Sequence, residues 1–265
     1  SLVLGSGGAP CAADAPPEAC CICSPTSGGA AVGVFDCRAG AHRCDLELRS
    51  SAYHPKSAVG GDQALGMCMA LNPLPALGAS CILAVYESTD TCAWDLRAPR
   101  GPVAASVLAG SPEAPAISAA TIWRHVWVAS ADGAIHVLKL RRDGQLRRLP
   151  AGVEIAPAAH ISQADGWQPE KRGVNALAVR ADLRLVAAAR WDRRVELFDA
   201  KTATSLGRLQ CHQGGVLSVA FDRARGVLAT AGEDGRIALW TALAETYRGP
   251  LGGGYAGDTD AAAEK

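Results

Sequence analysis

Residues 230–240 read TAGEDGRIALW, and the fold turns on how that stretch is read. Asp234-Gly235 lies between two apolar runs. The dipeptide is a strong hairpin signal, because Gly takes φ > 0 without steric cost and Asp tolerates a left-handed turn. Upstream, GVLSVAF (215–221) and GVLATA (226–231) read as two short strands. Downstream, RIALW is a third, with Ile237 and Leu239 on one face and Ala238 and Trp240 on the other. Residues 215–240 are therefore expected to form a three-strand meander ending on a tryptophan six residues after the turn aspartate.

The same arrangement recurs upstream. AARWDRRVELFDA (188–200) puts Asp192 six residues before Phe198, and ASADGAIHVLKL (129–140) puts Asp132 six residues before Leu138. LAVYESTDTCAWDL (83–96) turns at Ser88-Thr89 and ends on Trp94-Asp95, and CICSPTSGGAAVGVFDC (21–37) turns at Gly28-Gly29 and ends on Phe35-Asp36. The terminal bulky residues fall at 35, 94, 138, 198 and 240. A spacing of this size is near that of a four-strand propeller blade with insertions. The expected fold is all-β, a β-propeller with about five blades at approximately 1–40, 60–100, 113–150, 173–205 and 206–241, followed by a flexible tail over 242–265.

Composition narrows the functional classes. The 265 residues include 26 basic and 26 acidic side chains. That balance argues against a nucleic-acid groove spread over the whole protein. The basic run Arg141, Arg142, Arg147 and Arg148 flanks a turn without interleaved aromatics and reads as a solvated hairpin. No apolar run reaches the length of a membrane span, and no basic-then-apolar leader opens the chain, so a nuclear or cytoplasmic, non-secreted protein is expected. The opening SLVLGSGG reads like the interior of a strand and turn, and implies that N-terminal residues are missing. Ten cysteines are present. Cys21, Cys23, Cys37, His42 and Cys44 are the candidate metal ligands, but their spacing is irregular, and cysteine as a small apolar strand residue is the reading preferred.

No catalytic constellation stands out. Gly5 to Gly8 lack the Lys-Ser/Thr of a phosphate loop, and there is no Gly-x-Ser-x-Gly elbow and no His-Glu-x-x-His. The inner strands VLSVAF, NALAVR and AISAATI are small and apolar, which weighs against an enzyme with a central-channel site. No enzyme, cofactor or small-molecule substrate is expected.

His212 precedes GVLSVAF, and with it the last unit resembles the WD40 repeat. The resemblance implies a buried hydrogen-bond chain through His212, Thr230, Asp234 and Trp240, structural in role. The unit at 173–200 keeps Asp192 but has Phe198 for the tryptophan and Ala187 where the hydroxyl should stand, so the other units are expected to rely on apolar packing. LGMCMAL (65–71), AVYESTDTCAWDL (84–96) and residues 173–199 and 215–240 are similar to the ASTRA-associated protein 1 family, known in animals as guanine nucleotide-binding protein subunit beta-like protein 1. That resemblance implies a seven-blade ring of which two blades and the closing strand are absent here, leaving RIALW without an outer neighbour. It also implies a non-enzymatic scaffold of the ASTRA chromatin assembly, working with the TTT co-chaperone that matures phosphatidylinositol-3-kinase-related kinases. The alternative is a generic WD40 adaptor, such as a ubiquitin-ligase substrate receptor or a G-beta-like scaffold. Partners are expected to be proteins, with no direct nucleic-acid or membrane contact. The turns between second and third strands place Arg190, Trp191, Asp192, Arg193, Glu233 and Asp234 on one candidate binding face. Trp191 beside Arg190 has the composition of a hot spot, replaceable without loss of fold, unless Trp191 packs on the neighbouring blade instead.

Overall fold

The computed structural model describes residues 2–3, 21–25, 31–36, 39–47, 66–107, 114–141, 145–148 and 173–247. They form nineteen strands, in five antiparallel sheets, and one short 3-10 helix. Sheet 1 holds β1 (Leu2–Val3), β2 (Cys21–Pro25), β3 (Val32–Asp36) and β4 (Ala41–Leu46). Sheet 2 holds β5 (Cys68–Pro73), β6 (Cys81–Tyr86), β7 (Asp90–Asp95) and β8 (Ala104–Val107). Sheet 3 holds β9 (Ala116–Ile122), β10 (His125–Ser130), β11 (Ile135–Leu140) and β12 (Leu146–Arg148). Sheet 4 holds β13 (Val174–Val179), β14 (Leu185–Arg190), β15 (Arg194–Asp199) and β16 (Ser205–Gln210). Sheet 5 has three strands, β17 (Val216–Phe221), β18 (Leu228–Gly232) and β19 (Ile237–Trp240).

Within each sheet the strands pair in chain order, the up-and-down meander of a propeller blade. The first strands of sheets 2 to 5 touch in succession, β5 with β9, β9 with β13 and β13 with β17, so they are the innermost strands around a common axis. Polar side chains tie these inner strands together. Asn72 Nδ2 donates to the Ala119 carbonyl (3.0 Å), Thr121 Oγ1 to the Pro73 carbonyl (2.9 Å), and Asn175 Nδ2 to the Val216 carbonyl (2.8 Å). A strand flanked on both sides loses its water, and these bonds satisfy backbone oxygens facing the next sheet.

The core is four separate layers rather than one centre. Each layer fills the joint between successive sheets, from Val32, Val34, Ile82 and Trp94 between sheets 1 and 2 to Val195, Leu197, Val216 and Leu228 between sheets 4 and 5. The middle strands β6 and β14 are buried along their whole length, because a sheet stacked on both faces needs apolar side chains in both directions. The bulky residues Phe35, Trp94, Leu138, Phe198 and Trp240 each stand on a third strand.

Four turns between second and third strands share one geometry. Thr89 (φ 73°), Gly133 (φ 86°), Arg193 (φ 73°) and Gly235 (φ 71°) occupy the same left-handed position. The amides of Thr89, Gly133 and Gly235 donate back to the carbonyls of Tyr86, Ser130 and Gly232. This is a tight turn followed by a left-handed residue, the geometry that asks for Gly or a short polar residue.

Two expectations need correction. Four sheets extend one strand beyond the bulky third strand, so only sheet 5 ends there among the described residues. Of the tail, residues 242–247 are structured: residues up to Thr246 belong to the 3-10 helix Thr241–Thr246, and Tyr247 Oη donates to the Arg223 carbonyl. PVAASVLA, which reads as a short strand, and RRDGQLRRLP, which reads as a basic hairpin, supply β8 and β12, the outer strands of their sheets. The Gly28-Gly29 turn, Cys37, Arg142, the loop over 149–172 and the tail beyond residue 247 lie outside the described residues.

Candidate partner-binding face

In sheet 5 the amide of Arg236 and the ring of His212 converge on Asp234. His212 Nδ1 lies 3.1 Å from Asp234 Oδ1, and His212 Nε2 lies 2.8 Å from Thr230 Oγ1. Trp240 Nε1 donates to the same Thr230 oxygen at 3.2 Å. A carboxylate only accepts, so the ring proton sits on Nδ1 and Nε2 accepts from the threonine hydroxyl. The bonds then run one way, from Trp240 through Thr230 to His212 and on to Asp234. Gly232 makes the space: a Cβ there would lie 2.7 Å from Asp234 Oδ1 and press on the His212 ring. Asp234 also accepts from the amides of Gln213 (2.9 Å) and Arg236 (3.1 Å). The Gln213 amide foremost, then the His212 ring and the Arg236 amide, hold its carboxyl down at about 2.

Sheet 4 solves the same position differently. Trp240 pairs with Leu228 across the sheet, and Phe198 pairs with Val186. Two residues along the second strand, Thr230 therefore corresponds to Ala188, and the residue read from the sequence, Ala187, faces sheet 5 instead. Arg190 stands where Gly232 does, and its guanidinium replaces the histidine. Arg190 Nε donates to Asp192 Oδ1 (3.2 Å) and Nη1 to Glu196 Oε2 (3.1 Å). Glu196 is completed by Ser205 Oγ at 2.9 Å and by Arg208, whose Nε lies 3.5 Å away. Sheet 4 is thus held by a buried ionic network as well as by apolar packing, against the expectation of apolar packing alone. In sheet 3 the equivalent donor is Ser130, whose hydroxyl bonds Asp132.

This geometry redraws the candidate face. Arg190 is buried and spent on two carboxylates, and the Asp192 side chain is buried against it. Trp191 is half-buried, its indole Nε1 donating to Asn175 Oδ1 (2.7 Å) and its ring lying against Gly173, where a Cβ would clash. Trp191 therefore packs against its own sheet rather than on the neighbouring blade, and Arg190 is no free surface cation, since replacing it leaves two buried carboxylates unpaired. Glu233 is exposed, with its carboxylate accepting the Gly215 amide (3.0 Å); Arg193 is half-exposed; Arg236, exposed, joins them. Cys23, Cys68, Cys81 and Cys92 are buried strand residues. Burial pushes the Cys68 and Cys92 thiols up to about 11 and about 12, so both are held as unreactive thiols. His42 pairs with Asp45 at 2.8 Å, and no group of three potential ligands converges among the described residues.

Sequence reasoning missed a second buried ion pair. Arg180 grips Asp182 through two bonds (3.0 and 2.8 Å), and its other arm donates to the Leu243 carbonyl (2.9 Å) and Thr246 Oγ1 (2.8 Å). The Tyr247 ring lies 5.8 Å from its guanidinium carbon. The Arg-Ala-Asp turn was visible in the sequence, but its target lies some sixty residues away, beyond any local pattern.

Residues 203–241 match the WD40 family, described as WD domain, G-beta repeat. The chain is 35% identical over 68 residues to ASTRA-associated protein 1 of Schizosaccharomyces pombe, covering 26% of this chain and 18% of that protein. It is 36% identical over 69 residues to guanine nucleotide-binding protein subunit beta-like protein 1 of Mus musculus, covering 26% of this chain and 21% of that protein. It is 38% identical over 99 residues to telomerase protein component 1 of Rattus norvegicus, covering 35% of this chain and 4% of that protein. The matched stretches thus span about a fifth or less of these relatives. Five meandering sheets around one axis form a β-propeller, the last of them matching a WD40 repeat and carrying its His-Thr-Asp-Trp bonds, and the chain is similar over part of its length to the ASTRA-associated protein 1 proteins.

Proposed function

We propose that the protein is a non-enzymatic scaffold that binds other proteins, a component of the ASTRA assembly that works with the TTT co-chaperone in maturing phosphatidylinositol-3-kinase-related kinases. The observation that carries this reading is the similarity to ASTRA-associated protein 1 from two fungi, 35% identical over 68 residues and 39% over 69, together with the WD40 match over 203–241. A rigid set of sheets with solvent-facing turns suits such work, because affinity then comes from pre-organised surface rather than from a reacting group. The turn face of sheets 4 and 5 is the contact, through Arg193, Glu233 and Arg236.

The test is affinity capture of the full-length protein from its source organism, followed by quantitative proteomics after depletion. TTT-type subunits or the large kinases are expected in the capture. Kinase protein levels should fall while transcripts hold, since a maturation scaffold acts on folding rather than expression. Arg236→Glu should weaken recovery while leaving thermal unfolding unchanged. Unchanged kinase levels with no co-chaperone captured would leave the generic WD40 adaptor as the function.

A further inference from the structure

Sheets 3 and 4 each have a packed sheet on both faces, so what they expose lies on their outer strands and at their two ends. One end is built from the connections between first and second strands and between third and fourth strands. In sheet 3 these are the Trp123–Arg124 turn and the turn entered at Arg141; in sheet 4 they are residues 180–184 and 200–204. Bonds and packing join the turns into one surface. Arg124 Nε donates to the Leu140 carbonyl (2.9 Å), and its Nη2 to the Arg141 carbonyl (2.8 Å). The Ala200 amide donates to the Arg184 carbonyl (3.0 Å). Leu183 packs on the apolar layer that holds Ile122 and Ala200, so the turns of the two sheets border one joint. The surface is cationic. Arg141, Arg184 and Lys201 are exposed, and Arg124 is half-buried. The carboxylates of the same turns are already engaged: Asp182 is buried against Arg180, and Asp199 accepts the amides of Lys201 (3.0 Å) and Thr202 (2.8 Å). Trp123 stands beside these cations, 37% exposed and with φ at 54°. The same place is Leu183 (φ 55°) in sheet 4, which turns into the joint, and Gly226 (φ 68°) in sheet 5. A left-handed position suits glycine and strains a bulky residue. Sheet 3 thus bears backbone strain for an indole that the fold leaves at the surface, a pattern that gathers at functional sites.

We propose that this end of sheets 3 and 4 docks an acidic, partly apolar segment of a partner protein, an apolar side chain lying on the Trp123 ring and its flanking carboxylates on Arg141, Arg184 and Lys201. Charge complementarity argues for this occupant. Tryptophan beside arginine is also the composition that dominates protein contacts. The Arg124 guanidinium, held by two carbonyls, is fixed before any partner arrives, which lowers the ordering cost of binding. A nucleic acid fits less well. Asp199 shares a turn with Lys201, and a continuous run of phosphates would have to pass it, whereas a peptide can place its carboxylates to either side. The surface lies at the opposite end of the sheets from the turns that carry Arg193, Glu233 and Arg236, because successive strands are antiparallel. It is therefore a second contact, and it does not depend on the partner belonging to the ASTRA assembly.

The test is fluorescence anisotropy of a labelled peptide, Glu-Glu-Leu-Phe-Glu-Glu, titrated with the 265-residue protein. Binding should saturate and weaken as salt rises, and the same peptide with lysine in place of glutamate should not bind. Arg184→Glu and Trp123→Asn should each abolish the signal with an unchanged circular dichroism spectrum and unchanged thermal unfolding. Arg184 is exposed, and asparagine tolerates the left-handed backbone at position 123, so neither change threatens the fold. Arg184→Lys, which keeps the charge, should still bind. A glutamate peptide that fails to bind would overturn the proposal, as would equal binding by the lysine peptide or binding that survives both Arg184→Glu and Trp123→Asn. A single-stranded oligodeoxynucleotide that binds more tightly than the peptide would also overturn it, by making the surface a nucleic-acid site.

Discussion

Thr230 Oγ1 is the junction of the sheet 5 bonds, giving its proton to His212 and accepting one from Trp240. The residue is 1% exposed, so water cannot replace it. Thr230→Val keeps the shape and leaves two buried nitrogens without a partner, which should cost about 1–3 kcal/mol in urea titration. Parental stability in that variant would show that the bonds carry no net energy. Asp234 contributes in a pH-dependent way. Its carboxyl, held at about 2 by the Gln213 amide and the His212 ring, lies below its ordinary value near about 4. A group with a lowered folded-state value binds its proton more readily when unfolded, so its stabilisation is complete above about 4 and fades as pH falls toward 2. The stability difference between the parent and Asp234→Asn should therefore be constant at neutral pH and shrink on acidification through that window. A difference that grows at low pH would reverse the sign and contradict the assignment.

Each sheet answers the same demand with different residues, and the second strand decides which answer is possible. Trp94 Nε1 in sheet 2 is buried beside the Tyr86 hydroxyl without a hydrogen bond of good geometry, and the place of the Thr230 hydroxyl is taken there by Ala84. Ala84→Ser should supply the acceptor and stabilise by about 1 kcal/mol. The same change at Ala188 should destabilise, because Phe198 has no proton to give and the hydroxyl would be buried unpaired. Thermal unfolding of the two variants reads the opposite signs directly. In sheet 4, Arg190→Met leaves Asp192 and Glu196 buried without their cation and should cost about 3–5 kcal/mol, part of it recovered by adding Glu196→Met. The repeat was legible in the sequence because the turn residue and the bulky third-strand residue stay six apart in every unit. The frame inside a unit was harder. β14 reads LVAAAR and is buried on both faces, so no alternation tells Ala187 from Ala188. Outer strands were harder still: β4 and β16 are largely exposed and polar, and the apolar periodicity that marks a strand is missing from them. Glu196 could not be read as half of an ion pair, since its partners come from two other strands.

Across the described sheets, stability should fall toward sheet 5, which has a packed neighbour on one face only among the described residues. Sheets 2 to 4 are packed on both faces, whereas sheet 5 has one packed face, one exposed face and a third strand, β19, with no outer neighbour among the described residues. Local opening costs least where few apolar contacts are lost and backbone groups already face water. One feature opposes fraying: the 3-10 helix at Thr241–Thr246 and Tyr247 clasp the end of sheet 5 to the buried Arg180–Asp182 pair of sheet 4. Hydrogen exchange at low protein concentration should therefore rank the strands. Amides of 185–199 should exchange slowest, those of 237–240 fastest, and those of 216–221 between them, because β17 is pinned by Asn175 at its first residue. Tyr247→Ala should release the clasp and speed exchange across 216–240 while leaving 185–190 unaltered. Equal exchange across sheets 4 and 5 would mean that sheet 5, with one packed face, is as well supported as sheet 4 with two.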